Sequence, residues 1–217
     1  MLGFLGGTGP EGRGLALRLA LGGESVMVGS RESARAEEAM TRIMARAPVT
    51  GVKAATNDDV ARECEVVFIT LPYEAQLGVL PALAGALSGK VVVSTVAPLR
   101  FHDNVFEAIT VPEGSAAMQA HRLLPRSLVV AAFQNISAID LWSPNRKLDG
   151  DVVVCSDHAE AKAQVMALAR KIPALGSIDG GGLANARYVE ELTALLLNIN
   201  HIYKGRGMIR ITGIKTD

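Results

Sequence analysis

Near the start of the chain, Gly7-Thr8-Gly9-Pro10-Glu11-Gly12 sets three glycines in Gly-x-Gly-x-x-Gly spacing. That spacing suits recognition of a pyrophosphate by the main chain. Gly7 permits a tight turn, Gly9 lets a phosphate approach the backbone, and Gly12 lets the next helix pack close to the preceding strand. The helix N-terminus then offers free N–H groups and a partial positive charge. With 22 glycines among 217 residues a chance match is easy, so context decides. Here the motif follows the apolar run Leu2 to Gly6 and opens a helix, which favours a dinucleotide loop over a glycine-rich structural turn. A phosphate-hydrolysing loop is excluded, because Arg13 and Gly14 follow Gly12 where that chemistry needs Lys and then Ser or Thr.

The end of the second strand carries Gly29-Ser30-Arg31, where an NAD enzyme places an acid against the ribose 2′-hydroxyl. A carboxylate there would repel a 2′-phosphate, whereas a hydroxyl and a guanidinium bind one through charge-assisted hydrogen bonds. Arg35, one helical turn beyond Arg31, adds a second cation. The competing reading is a serine N-cap followed by solvated arginines. The residue types favour NADP over NAD.

The elements that must hold these residues alternate strand and helix. Leu2 to Gly6, Ser25 to Gly29, Val52 to Ala55, Val66 to Leu71, Lys90 to Ser94 and Leu128 to Phe133 read as strands. Glu11 to Gly22, Ser33 to Arg46, a segment opening at Asn57-Asp58-Asp59, Glu74 to Leu87 and Ser115 to Leu123 read as helices. Several strands are apolar without alternation, as strands buried on both faces of a parallel sheet are. The expected fold is therefore α/β, a Rossmann-type, doubly wound, mainly parallel sheet. A small C-terminal α/β part follows: strands Val152 to Cys155 and Gly176 to Asp179, helices His158 to Lys171 and Ala184 to His201. Polar residues 140–150, with a Ser-Pro-Asn turn, are the best boundary. They would separate a nucleotide-binding domain, residues 1–150, from a smaller unit, residues 151–217. No pattern is assigned between Pro98 and Ser115.

Composition narrows the partners. Lys plus Arg and Asp plus Glu both total 22, a formal net charge of zero, which argues against nucleic acid or an anionic membrane. No stretch approaches the ~20 apolar residues of a membrane span. The N-terminus has no basic region ahead of its apolar residues, so it is not read as a secretory signal, and a cytoplasmic location is expected. Cys64 and Cys155 share no motif and read as buried thiols. The four histidines lack metal-ligand spacing. Ser30 and Ser115 lie in no Gly-x-Ser-x-Gly elbow, so covalent catalysis has no support.

Several further segments carry a resemblance. Gly6-Gly7-Thr8-Gly9, Ser30-Arg31, Leu71-Pro72-Tyr73, Gly114-Ser115-Ala116-Ala117 and Leu128 to Ala138 resemble the NADPH-dependent reductases of coenzyme F-420, an 8-hydroxy-5-deazaflavin hydride carrier. So do Asp179-Gly180-Gly181-Gly182-Leu183-Ala184-Asn185-Ala186-Arg187 and Leu195-Leu196-Leu197-Asn198-Ile199. The resemblance spans nearly the whole chain in order. It implies that Thr8, Gly9, Pro10 and Glu11 hold the pyrophosphate and that Ser30, Arg31 and Arg35 hold the 2′-phosphate. It further implies that Leu71, Pro72, Ala75, Ala97 and Ala138, with Tyr73 beside them, border the ribose and nicotinamide. The deazaflavin would then lie face to face with the nicotinamide, in a cleft between the main sheet and the C-terminal part.

One departure concerns the acceptor. Many family members carry histidine where this chain reads Phe133-Gln134-Asn135-Ile136-Ser137-Ala138. An amide can bond a ring carbonyl but cannot shuttle a proton. Gln134, Asn135 and Ser137 are expected at the acceptor, with Arg206 at the rim. Lys204, Arg206, Arg210 and Lys215, against Asp217 as the one acid, form a basic tail that suits an anionic acceptor or simply faces solvent. No catalytic acid or base is assigned, because hydride transfer needs two rings held together and water excluded. Two other readings remain open: a reductase of the same fold acting on a flavin or pterin-like acceptor, and an NADP sensor without turnover. The Ala184 to His201 helix is apolar on most faces and is expected between the main sheet and the second subunit of a homodimer.

Overall fold

A computed structural model describes residues 1–215. In chain order the elements are β1 (Leu2–Leu5), α1 (Pro10–Leu21), β2 (Val26–Ser30), α2 (Ser33–Arg46), β3 (Val52–Thr56), α3 (Asn57–Glu63) and β4 (Val66–Ile69). There follow α4 (Gln76–Leu83), β5 (Val91–Ser94), β6 (Leu99–His102), β7 (Val105–Ala108), α5 (Ala116–Leu123) and β8 (Leu128–Ala131). The chain ends with α6 (Ala138–Leu141), β9 (Gly150–Val154), α7 (Ala159–Arg170), β10 (Leu175–Asp179) and α8 (Ala186–Tyr203).

Six strands form one sheet in the order β3-β2-β1-β4-β5-β8, every pair parallel. The chain winds outward from β1 in one direction and from β4 in the other. The space between their carboxyl ends is thus the switch point where open α/β sheets bind ligands. Successive residues feed opposite faces. Phe4, Val66 and Phe68 join a core with α1, α2 and α7, while Leu5, Val67 and Ile69 join one with α3, α4 and α5. Burial on both faces is the reason these strands lack polar alternation. Phe4 stacks on Phe68 at 4.8 Å, and Phe133 leans on Phe68 at 6.0 Å.

Beyond β8, the parallel pair β9–β10 meets the main sheet through an antiparallel bridge between Ala131 and Cys155. Val152, Val154, Val165 and Leu175 share one core with Phe4 and Phe68. Polar residues 140–150 pack closely on α1. The Arg18 guanidinium, 1% exposed, donates to the carbonyls of Asp140, Leu141, Ser143, Pro144 and Arg146 at 2.5–3.0 Å. Burial lowers its pKa, and the Asp140 carboxylate pulls the other way.

Three expectations are corrected. Residues 99–108, left without a pattern, form the antiparallel hairpin β6–β7, whose strands of four are too short and too exposed for alternation to register. The helix expected over Glu74 to Leu87 is shorter. A 3₁₀ turn at Tyr73–Ala75 precedes α4, and Pro81 sits within it. Finally, α8 packs chiefly on β7 and α5, and Ala186 and Val189 at its start are the part that joins the core on that face of the main sheet. Asn198 holds it to the hairpin, its side chain bonding both the N–H and the carbonyl of Phe106. Among the described residues no helix is long and apolar enough to cross a membrane, and no cluster of His, Cys, Asp or Glu could hold a metal ion. Both cysteines are buried, which pushes their thiols up to about 11.

Candidate functional site

The glycine loop joins β1 to α1 at the switch point. Gly6 turns the chain with φ +68°, and a Cβ there would lie 2.6 Å from Leu71 Cδ2. The left-handed residue of the turn is therefore Gly6, one position before the Gly7 that the motif suggests. Gly7 is confined instead by crowding, since a Cβ would meet Phe4 at 2.8 Å. A Cβ on Gly12 would approach Gly7 Cα to 2.6 Å, so this glycine sets how closely α1 meets the loop. At Gly9 the nearest atom to an added Cβ is the Gly6 carbonyl at 3.9 Å. Gly9 thus leaves the space open on the side where a phosphate would approach. Helix geometry leaves the N–H groups of Glu11 and Gly12 without an intrahelical acceptor, at the end of α1 that meets the loop.

A cleft of about 510 Å³ runs along these carboxyl ends. Thr8, Gly9, Pro10, Glu11, Ser30, Arg31, Arg35, Leu71, Pro72 and Ala75, all named from sequence, line it. Gly7 and Gly12 lie buried, or nearly so, behind its wall. Ser30 is buried at the end of β2, and its Oγ accepts from the Glu32 N–H at 3.4 Å. Arg31 and Arg35 are exposed and join no ion pair among the described residues. Two cations and a hydroxyl fit a 2′-phosphate.

Asn57, Thr70 and Val79, missed from sequence, also line this cleft. Asn57, buried at the start of α3, accepts the Gly6 N–H on its Oδ1 at 3.1 Å and so steadies the turn. Thr70 donates to the Leu5 carbonyl and backs Gly12. The signal available for Asn57 was an amide at a helix start following a strand edge, which reads equally well as a plain helix opening.

A second cleft, about 390 Å³, opens beyond the first. Gln134, Asn135, Ser137, Ala138 and Arg206 line it with Thr193, Leu196, Leu197 and Asn200. Glu11 borders both clefts. The turn after β8 is set by Phe133, a buried residue held at φ +72°. This conformation is costly for a side chain with a Cβ and persists only where the surroundings demand it. It turns the next two amides inward, leaving Gln134 6% and Asn135 5% exposed. Gln134 Nε2 donates to the Ser94 carbonyl at 3.2 Å and Asn135 Nδ2 to the Asp151 carbonyl at 3.0 Å. The oxygens of both amides are buried and have no hydrogen-bond partner among the described residues. Ser137 caps α6 by accepting from the Asp140 N–H. Arg206 reaches the buried Asp140 carboxylate at 2.8 Å.

Three placements differ from expectation. Ala138 lines the second cleft, not the nicotinamide side of the first. Tyr73 turns away, its hydroxyl accepting from Gln119 Nε2 at 3.3 Å, because the 3₁₀ turn rotates it toward α5. Ala97 is half-buried past the end of β5 and lines neither cleft. In the basic tail Arg210 pairs with Asp149 at 2.8 Å. Asp217 lies outside the described residues.

Asn135→Ala removes one buried hydrogen bond and strands the Asp151 carbonyl. It is expected to lower stability by about 1–3 kcal/mol. Thermal melting and activity per folded molecule, measured on one preparation, separate the roles. Lost turnover at an unchanged melting point would mean that the amide serves the ligand and not the turn.

The family described as coenzyme F420-dependent NADP oxidoreductase matches residues 1–98. The F420-dependent NADP reductase of Methanothermobacter marburgensis is 41% identical, with 97% of each chain covered. That of Methanocaldococcus jannaschii is 38% identical, with 98% of each covered. A crystal structure from Arthrobacter sp. FB24, assigned provisionally as an F420-dependent NADP reductase, superposes with a TM-score of 0.82. It is 27% identical, over 97% of this chain and 98% of that one. With identity at this level running from the glycine loop through α8, the chain belongs to the F420-dependent NADP reductase family.

Proposed function

We propose that this protein transfers hydride between NADP(H) and the deazaflavin coenzyme F-420. The observation that carries the reading is the meeting of two clefts at Glu11. One ends in Ser30, Arg31 and Arg35, and the other is walled by apolar side chains and the unpartnered amide oxygens of Gln134 and Asn135. The nucleotide, when bound, supplies the hydride chemistry. The chain's own residues bind and orient. Gly9 and the first amides of α1 would hold the pyrophosphate, Ser30, Arg31 and Arg35 the 2′-phosphate, and Leu71, Pro72 and Ala75 the ribose end. Gln134, Asn135 and Arg206 would face the acceptor. Placing two reactants in one dry site removes much of the entropic barrier to their meeting. In this reading residues 1–150 bind the nucleotide, and residues 151–217 close the acceptor side while sharing the core of the first part. An anaerobic assay of NADPH oxidation with the deazaflavin, riboflavin derivatives and pterins side by side tests it. The deazaflavin is expected to be reduced fastest. Preference for a flavin or pterin would move the protein to another acceptor, and binding without turnover would make it a sensor.

We further infer a homodimer formed through α8. Tyr188, Leu195, Ile199 and Ile202 are exposed, and their intervals of seven, four and three place them on one stripe of the helix. Phe101 and Val105 of the adjoining hairpin are exposed as well. Covering this surface with a second copy removes apolar area from water that a lone chain leaves wet. Light scattering at micromolar concentration is expected to give twice the mass of 22.8 kDa. A monomer would contradict the inference.

A further inference from the structure

Hydride transfer between a nicotinamide and a conjugated ring acceptor moves two electrons and one hydrogen nucleus. Charge balance then requires a second proton: NADPH, acceptor and H⁺ give NADP⁺ and the reduced acceptor. Most residues around the two clefts are poor donors. Gln134, Asn135, Ser137, Thr193 and Asn200 are amides and hydroxyls, which are not acids near neutrality. Among the described residues Glu11 is the one carboxyl bordering both clefts. Its main chain is placed by the first turn of α1, while its Oε1 is closed to solvent and has no hydrogen-bond partner among the described residues. An unpaired carboxylate in such a place costs far more than a neutral carboxyl does, so burial favours the protonated form.

We propose that the Glu11 carboxyl delivers the proton that accompanies hydride to the acceptor, and takes it back in the reverse direction. The O–H bond of Glu11 breaks as a ring nitrogen or ring oxygen of the acceptor gains the proton. The hydride electron pair comes from NADPH, and solvent reprotonates the carboxylate once the clefts open. This role rests on the proposed hydride transfer, but it applies to any ring acceptor that needs the second proton. Burial pushes the Glu11 carboxyl up to about 8, so the free protein carries it protonated at neutrality. The charged groups that line the same two clefts are Arg31 and Arg35 in the first and Arg206, held by Asp140, in the second. Arg13 on its own helix lies over the Trp142 ring. None of these cations offsets the burial.

The test has two arms. In the ligand-free protein, a carboxyl raised by burial favours the protonated fold. Stability should therefore fall as pH rises from the ordinary carboxylate range to about 8. Glu11→Gln should flatten that fall and raise the melting point at pH 8. Glu190, raised to about 7 by burial, contributes in both proteins and cancels in the comparison. In the second arm, Glu11→Gln should lower deazaflavin reduction ~100-fold. It should abolish the alkaline limb of the pH profile and leave the NADPH dissociation constant within about twofold. Glu11→Asp should restore part of the rate together with a shifted limb. Wild-type turnover and an unchanged pH profile in Glu11→Gln would overturn the proposal. If the unmutated protein ignores the deazaflavin but reduces another ring, the acceptor assignment fails, and the same variant comparison is decided with that ring.

Discussion

Replacing Arg18 with Leu is expected to lower the stability of the fold by about 3–5 kcal/mol, a large share of a typical domain's total. The guanidinium is buried between α1 and residues 140–146 and satisfies five main-chain carbonyls there. A leucine fills part of the volume and leaves those oxygens without donors, each a costly loss in an apolar setting. Arg18→Lys should recover only a fraction, because an ammonium cannot span the same fork of acceptors. The segment it holds includes α6, whose first residue Ala138 lines the second cleft, where the acceptor is proposed to bind. The Leu variant should therefore also weaken acceptor binding more than NADPH binding. Urea unfolding reads the first effect as a lower midpoint at unchanged slope. A shift worth less than about 1 kcal/mol would mean that residues 140–146 keep their path without Arg18.

The second large effect concerns cofactor choice. NADPH is expected to bind at least ~10 times tighter than NADH, a difference of about 1.4 kcal/mol. Ser30, Arg31 and Arg35 line the first cleft, where the nucleotide is proposed to bind. Arg31→Asp should narrow or reverse the preference by replacing an attraction for the 2′-phosphate with a repulsion. Because both arginines are exposed, the preference should also shrink as ionic strength rises. Equal affinity for both cofactors in the unmutated protein, by titration at low salt, would remove the 2′-phosphate from these residues.

The parts of the fold that were legible in sequence are those where local pattern and burial agree. β1, β4 and β5 are apolar on both faces because both faces are covered, and the glycine loop announces itself by position. Segment α2, from Ser33 to Arg46, shows an amphipathic spacing that its one buried face enforces. What stayed hidden depends on long-range contacts. Arg18 reads as one more surface arginine until residues 140–146 wrap around it. The hairpin at 99–108 gains its place from Asn198, some 90 residues later. Gln134 and Asn135 stand together along the second cleft, as their nearness in sequence allows, but nothing local marks them as amides whose donor ends are spent on the main chain. That follows from the left-handed Phe133, which no local rule anticipates. Tyr73 and Ala97 were placed by resemblance alone, and the 3₁₀ turn and the path beyond β5 carry them away from the cleft.

The central claim is direct hydride transfer between two rings held in adjoining clefts. It is tested by mixing the protein anaerobically with oxidised deazaflavin and NADPH carrying deuterium at one or the other hydrogen of nicotinamide C4. The account predicts that one of the two labelled forms passes its deuterium to a carbon of the reduced deazaflavin, one label per NADPH oxidised, while the other form keeps it. Loss of the label to solvent from both forms, or NADPH left unoxidised beside the deazaflavin, would contradict it.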